Sequence, residues 1–361
     1  MTEYLNLPTG EQHERIATAL EAMAKTRPQD DYTNSPGSKY IIEGDKEAGF
    51  YGFVQPKEFG EIVGNTTGKT AMAGDNLALA IGLTQGTATN INTPWMKFSS
   101  KGKVIFVPVK PLRHSVSWDA IYRQGAVFGD DSENKSTPNS RSGSLISING
   151  NNNSIVVSGN NNWNETGGVI ASAGEKIILS GFKTASNNGE FTVKTVGEKE
   201  LVVEETLSTE PEGNYNAQVM KKGTGVRQDR RVSIGENTYR VRLLKGAKEN
   251  PARTREADRG AIGSEWNELI IPMHVESKLK TWAHKAYIGD SEYWGADLTN
   301  GDLVITPSFG GGNANWMQEV ADGTSYRRVF RGTEGIGNLH WNASWSTYWG
   351  YGWRPVLELQ S

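Results

Sequence analysis

The stretch that most constrains this chain is Tyr326 to Leu359, where Trp341, Trp345, Trp349 and Trp353 fall at a spacing of four among Tyr348, Tyr351 and a filling of Asn, Ser, Thr and Gly. A spacing of four suits one face of a helix, but Gly350, Gly352 and the scarcity of good helix formers oppose one. An even spacing also keeps all four indoles on a single face of a strand, because strand side chains alternate. The expectation is aromatic strands and tight loops, closed by a buried strand from Arg354 to Leu359. Alternation divides the set as well: four indoles on a buried face would leave Asn342, Ser344, Ser346 and Tyr348 for the other side.

Composition agrees with strands and loops. Only 36% of the 361 residues are hydrophobic while Gly numbers 42 and Trp 11, which suits a loop-rich β protein and allows two or three domains. A net charge of -3 gives no general pull toward nucleic acid or an anionic membrane. The absence of cysteine excludes disulfides, thiolate metal sites and cysteine nucleophiles. No apolar run approaches the roughly 20 residues of a membrane span. Met1 to Arg15 has neither the basic start nor the apolar centre of a signal peptide. The expectation is a soluble chain made in a cytoplasm.

Along the chain, Thr9 with Gln12 three residues later forms a capping box for a helix that ends at Pro28. Its stripe of Ile16, Leu20 and Met23 is too narrow to found a core. That leaves two readings: packing on its own chain, or an oligomerisation or docking peg. Lys103 to Val107 reads as a strand bounded by Gly102 and Pro108, and Ser117 to Tyr122 as a helical turn. At Asp130 the composition changes. Ser132 to Ser144 reads as a polar linker and Asn149 to Asn164 as an Asn/Gly-rich stretch. Strands then follow at Lys176 to Leu179, Glu190 to Val196 and Glu200 to Val203. Asn187-Asn188-Gly189 is a hairpin-turn signal. A second hairpin joins Arg231–Ile234 to Thr238–Leu244 around Gly235-Glu236-Asn237, reading on from a strand at Ala126-Val127-Phe128.

Sites of chemistry are scarce. Gly64-Asn65-Thr66-Thr67-Gly68-Lys69-Thr70 has three residues between its glycines where a phosphate-binding loop needs four. The chain has no Gly-x-Ser-x-Gly elbow and no His-Glu-x-x-His, so no catalytic residue is assigned. Glu265 and Glu268 are too close in one segment for a glycosidase pair and read as a solvated face. Asp290, Glu292, Asp297 and Asp302 are oxygen donors without a calcium-site spacing. His274 and His284 lack further ligands, so no metal site and no cofactor are expected. Lys221 to Arg259 is basic; a solvated loop is the plain reading and a docking face for an acidic partner the other. It lacks the aromatic interleaving that stacks bases, so nucleic acid is not expected.

Three stretches resemble known families. Arg328-Val329-Phe330-Arg331-Gly332 and Gly352-Trp353-Arg354 resemble the end of a C-type-lectin-like domain of the formylglycine-generating-enzyme type, which has Arg-Val-x-Arg-Gly followed by a variable stretch and Gly-Phe-Arg. Without cysteine, that resemblance implies the scaffold and not the thiol chemistry. Pro94-Trp95-Met96-Lys97-Phe98 through Lys110-Pro111-Leu112-Arg113-His114-Ser115-Val116-Ser117-Trp118-Asp119 resembles a segment recurrent in bacteriophage virion proteins. Ile178-Leu179-Ser180-Gly181-Phe182 through Glu190-Phe191-Thr192-Val193 to Leu207-Ser208-Thr209-Glu210 is similar to a small β-sandwich module of phage tail, capsid and fibre proteins.

The expected architecture is α+β and β-rich: a discontinuous C-type-lectin-like domain with an inserted small β-sandwich and a short N-terminal helix. Its parts are a helix or docking segment at 1–28, lectin-like parts at 29–135 and 223–361, and the module at 141–222. The resemblances imply a non-enzymatic virion structural protein of tail, fibre or baseplate, located in the virion and made in the bacterial host cytoplasm. Implied partners are other virion proteins, further copies of this chain, and a host-surface glycan or protein. In phage tropism proteins of this scaffold the residues before Gly-Phe-Arg face the ligand. That resemblance places Trp341, Asn342, Ser344, Trp345, Tyr348, Trp349 and Tyr351 at a binding surface, with Trp353 in the core and at least two of the aromatic residues exposed. A purely structural decoration, collar or baseplate subunit is the alternative, and an enzyme acting on polysaccharide a third class.

Overall fold

Strict alternation in the strand Lys103–Pro108 sets up the central layer. Val104 and Phe106 point into one apolar cluster, and Ile105 and Val107 into a second on the opposite face. A strand buried on both faces needs apolar residues throughout, which is why this run reads as continuous Val, Ile and Phe. The computed structural model describes residues 30–31, 33–65, 68–130, 140–142, 145–158, 163, 171–214, 217–221, 226–252, 263–278, 292–303, 314–321, 327–332 and 335–360. The helix expected within 1–28 lies outside them.

Among the described residues the chain is β-rich with few helices. Its nine-stranded sheet runs in the order Glu43–Gly44, Ala48–Val54, Trp95–Ser100, Lys103–Pro108, Val356–Gln360, Asn237–Arg242, Arg231–Ile234, Glu61–Asn65, Gly68–Ala71. A six-stranded sheet runs Gly335–Ala343, Arg327–Gly332, Ala314–Val320, Tyr351–Trp353, Arg113–His114, Thr87–Ala88. Both take strands from before residue 130 and after residue 230. Indole N–H groups tie the two halves reciprocally: Trp118 Nε1 donates to Met317 O at 2.8 Å, and Trp316 Nε1 donates to Val116 O at 2.7 Å. Buried indoles need such acceptors, and these two lie about two hundred residues away in sequence.

A seven-stranded sheet is built wholly from residues 140–221, in the order Ile146–Asn149, Ser154–Val157, Glu200–Val203, Gly189–Val196, Lys176–Ser180, Gln218–Lys221, Ser140–Ser142. It has its own apolar cluster, which includes Ile148, Ile155, Trp163, Ile177, Phe191, Val193, Leu201 and Val219. First and last strands are partners, with Ser140 opposite Met220 and Ser142 opposite Gln218, so the segment leaves and re-enters the chain side by side.

Several local expectations need correction. The polar linker stops before Ser140, because Ser140–Ser142 is a strand. Leu179 pairs with Gly189, so Asn187 and Asn188 sit in a longer connection rather than a two-residue turn. Their side chains instead hold it: Asn188 bonds both backbone groups of Phe182, and Asn187 donates to Ser208 O. Ala126 to Phe128 is not a strand. The second hairpin does turn in two residues, Ile234 facing Asn237, and Gly235 at φ +58 lies where a Cβ would meet Phe59 O at 2.5 Å. The false phosphate loop is the outer hairpin of the large sheet, Asn65 facing Gly68.

One buried ion pair fastens the first described residues. Lys97 Nζ lies 2.7 Å from Asp31 Oδ2 and 2.6 Å from Ser38 O, with the Tyr51 ring 4.9 Å away. Burial would raise the Asp31 carboxyl, but bonds from Lys97, Ser35 and Thr33 hold it at about 2; burial pulls Lys97 down to about 8 against the pull of Asp31. Both groups are therefore charged at neutral pH.

Two outcomes follow. Replacing 140–221 with a short Gly/Ser linker should leave a remainder that melts cooperatively in calorimetry, since the module has its own core and adjacent ends; an aggregated remainder would overturn this. The lowered pKa of Asp31 makes its contribution complete above about pH 4 and lost as pH falls toward about 2. Urea denaturation across that window should show the native chain losing about 2 kcal/mol more than the Asp31→Asn, Lys97→Met variant.

Candidate functional site

The aromatic C-terminal stretch is organised by cross-strand pairing. In the strands Arg327–Gly332 and Gly335–Ala343, Phe330 faces His340, and their rings stack at 5.2 Å with planes 7° apart. Phe330 also faces Trp316, at 5.9 Å edge to face. Tyr351 closes this group at 4.9 Å from Trp316 and 5.3 Å from Phe330. Tyr348 continues it outward, 5.8 Å from Tyr351 and 4.8 Å from Trp349. Trp316 is fully buried and Tyr348 is 54% exposed, so a continuous series of rings leads from core to surface.

The loop that carries Tyr348 is tied at both ends by backbone bonds. Ser346 N donates to Ala343 O, Tyr351 N to Tyr348 O, Asp119 N to Ser344 O and Ala314 N to Gly350 O. Asn342 Nδ2 donates to Tyr351 Oη, and Ala343 N donates to Asn342 Oδ1. These bonds fix the loop before any ligand arrives.

Of the seven residues expected at a binding surface, Tyr348 alone is exposed. Trp341, Asn342, Trp345 and Trp349 are half-buried, while Ser344 and Tyr351 are buried. The expectation of at least two exposed aromatic residues fails. So does that of a shared strand face: Trp341 lies in Gly335–Ala343, Trp353 in Tyr351–Trp353, and Trp345 and Trp349 in the loop between. A spacing of four carries no common direction once a loop interrupts the pleat. Trp353 is in the core, as its place beside Arg354 implies.

The short motifs at this end are internal clamps. Arg354, fully buried, donates to Asn315 Oδ1 at 3.2 Å, Pro108 O at 3.2 Å and Asp302 O at 3.0 Å; burial pulls it down to about 9. Arg331 donates to Gly246 O at 3.0 Å and Asn267 Oδ1 at 2.5 Å. The Arg328 guanidinium lies 4.3 Å from the Trp118 ring centroid, and burial lowers it to about 10 against the charge of Asp119.

A second feature was not singled out in the sequence. The strand Asn237–Arg242 brings Arg240 and Arg242 to one face, since they are two apart. Arg242 forms a bidentate pair with Glu265 at 2.7 Å for each bond, and its Nε donates to Glu358 at 2.9 Å. Lys103 lies 2.9 Å from Glu358, and Arg240 bonds Asp229 at 3.1 Å. Burial opposes each charge, yet Glu265 and Glu358 hold Arg242 above its ordinary range, and Arg242 holds both carboxyls below theirs. Beside this network is a cleft of about 170 Å³. The basic run is therefore no solvated loop at Arg240 and Arg242, and Glu265 is buried rather than on a solvated face. Arg240 and Arg242 alternate with Tyr239 and Val241, a pattern that also suits a half-solvated strand, so their burial against carboxylates depends on distant partners.

The remaining candidates are occupied in structural roles. Asp302 accepts from Thr299 N and Oγ1 at 2.8 Å, and Asp297 bonds the Tyr293 hydroxyl. Among the described residues no group of three His, Asp or Glu side chains is placed to hold a metal; Asp290 and His284 lie outside them. Glu319 is buried, accepts from Gly246 N at 3.0 Å, and is raised by burial to about 7. No helix among the described residues is long and apolar enough to cross a membrane.

Truncation separates core from surface along the ring series. Trp316→Ala and Trp353→Ala should each cost about 3 to 5 kcal/mol in denaturant unfolding. Tyr348→Ala should stay within about 0.5 kcal/mol; a large loss there would mean that Tyr348 is part of the core.

Comparison of this chain with protein-family models, curated proteins and solved structures finds no match.

Proposed function

We propose that this chain is a non-enzymatic bacteriophage virion structural protein of tail, fibre or baseplate that contacts the host surface through the aromatic end of a C-type-lectin-like domain. The observation that carries the reading is the series of rings from buried Trp316 through Tyr351 to exposed Tyr348, on a loop already fixed by backbone bonds. Aromatic side chains present large rigid area with few rotatable bonds. A loop ordered in advance loses little further entropy on binding. Half-buried Trp349 beside Tyr348 gives a shallow apolar step of the kind that stacks on a sugar ring. Half-buried Ser346 in the same loop offers a hydroxyl of the sort adaptable binding loops use.

A second reading is a decoration, collar or baseplate subunit without receptor contact. Burial of Ser344 and Tyr351 favours it, as does the packing of Trp341 on a core cluster. Binding of the full chain to bacterial cells and to immobilised glycans, with thermal melts on the same samples, separates the two. Under the receptor reading Tyr348→Ala and Trp349→Ala lose roughly 2 kcal/mol of binding at nearly unchanged melting temperature. Melting temperatures that drop while binding per folded molecule stays constant would reject it in favour of the structural subunit. Mass spectrometry of purified particles lacking the chain would reject both.

A further inference from the structure

We infer that the cleft beside the Arg242 network is a binding site for a small oxyanion of the phosphate class. Its lining includes the cations Lys101, Lys103, Arg240, Arg242 and Lys245 against the carboxylates Asp130, Glu265 and Glu358, an excess of two positive charges. Two of the three lining carboxylates are already engaged: Glu265 holds Arg242 through two bonds and Lys245 N through a third, and Glu358 takes Lys103 and Arg242. Lys101 and Lys245 are different. Both are exposed, and among the described residues neither ammonium has a carboxylate within 4.0 Å.

Two nearly buried polar groups face the same space. Ser100 is 7% exposed and Gln318 is 6% exposed, and both line the cleft. Gln318 uses its Nε2 on Leu243 O at 2.7 Å, which leaves its side-chain oxygen without a protein partner among the described residues. The Ser100 hydroxyl likewise has none there. Neither atom is a buried atom lacking a partner; both are open to the cleft, where a hydroxyl and an amide oxygen can meet a polar guest. The hydroxyl donates to an oxyanion, and the amide oxygen accepts from a protonated phosphate oxygen or an adjoining alcohol.

Size sets the class. A volume of about 170 Å³ equals about five or six waters and falls below the roughly 300 Å³ at which drug-sized pockets begin. A single small charged group fits. Two ammonium groups in the lining match a dianion better than a monocarboxylate, because each can contribute a separate charge-assisted bond.

The test is titration of the full-length chain with inorganic phosphate at fixed ionic strength, read by calorimetry and by melting temperature, with acetate as the monoanion. The site predicts saturable phosphate binding, at least about tenfold weaker in Lys101→Glu, Lys245→Glu. It predicts little change in the control Lys57→Glu, Lys183→Glu, which alters net charge equally at exposed positions elsewhere. The milder Lys101→Ala, Lys245→Ala repeats the measurement if the charge reversal disturbs folding. Absence of saturable phosphate binding in the native chain would overturn the inference, as would equal weakening in the control or acetate binding as tight as phosphate. None of these results depends on the aromatic surface.

Discussion

The structure depends on where its last strand lies. Val356–Gln360 sits between Lys103–Pro108 and Asn237–Arg242, with Leu357 opposite Phe106 and Val241, in the middle of the nine-stranded sheet. A closing strand at a sheet centre must be apolar on both faces or have its charges matched. Glu358 is the exception, and it faces Arg240 in register while bonding Arg242 and Lys103. A buried pair of this sort is weak evidence of net stability, because desolvation offsets much of the attraction. Removing one partner is another matter, since it leaves an unmatched charge inside. The network therefore acts chiefly on register: a slip of one residue would put Glu358 against the apolar face.

The residues just before that strand join the two sheets. Tyr351–Trp353 belongs to the six-stranded sheet and Val356–Gln360 to the nine-stranded one, leaving Arg354 and Pro355 as the whole connection. Arg354 bonds Pro108 O from one sheet and Asn315 from the other, so the short link is also a cross-brace. With Trp118 donating to Met317 O and Trp316 to Val116 O, residues on either side of 140–221 hold each other through bonds that do not involve that segment.

Much of the fold was legible where one local rule acted alone. Lys103 to Val107 read correctly as a strand, the hairpin around Gly235-Glu236-Asn237 read one residue too long, and the helical turn read from Ser117 is the helix Trp118–Arg123 with Ser117 as its cap, Ser117 Oγ accepting Ala120 N at 3.1 Å. The strands near Lys176, Glu190 and Glu200 emerged from alternation and β-branched content. What failed needed knowledge of distant partners. Nothing near Glu265 in sequence marks it as buried, because its neutralising partner is Arg242, twenty-three residues earlier. The four-residue Trp spacing misled for a related reason: periodicity reports a common face only while the backbone keeps one conformation, and the loop between Ala343 and Tyr351 does not. The aromatic stretch was thus legible as strands and a loop but not in the direction of its side chains, and Tyr351 reads as surface in sequence while it packs on Trp316 and Phe330.

Burial of most of that aromatic set bears on how it would work. An aromatic patch with every ring exposed is mobile and sticky, whereas here the inner rings hold the outer ones. Tyr351 is wedged against Trp316 and Phe330, Asn342 bonds its hydroxyl, and Tyr348 leans on it from outside. The exposed area is small, but its position is set by groups that cannot move without opening the core. Binding energy concentrates in a few central, well-supported side chains rather than in the whole contact. A single presented tyrosine with a half-buried tryptophan beside it is consistent with that pattern. The residues around it then matter for where Tyr348 stands more than for what they touch.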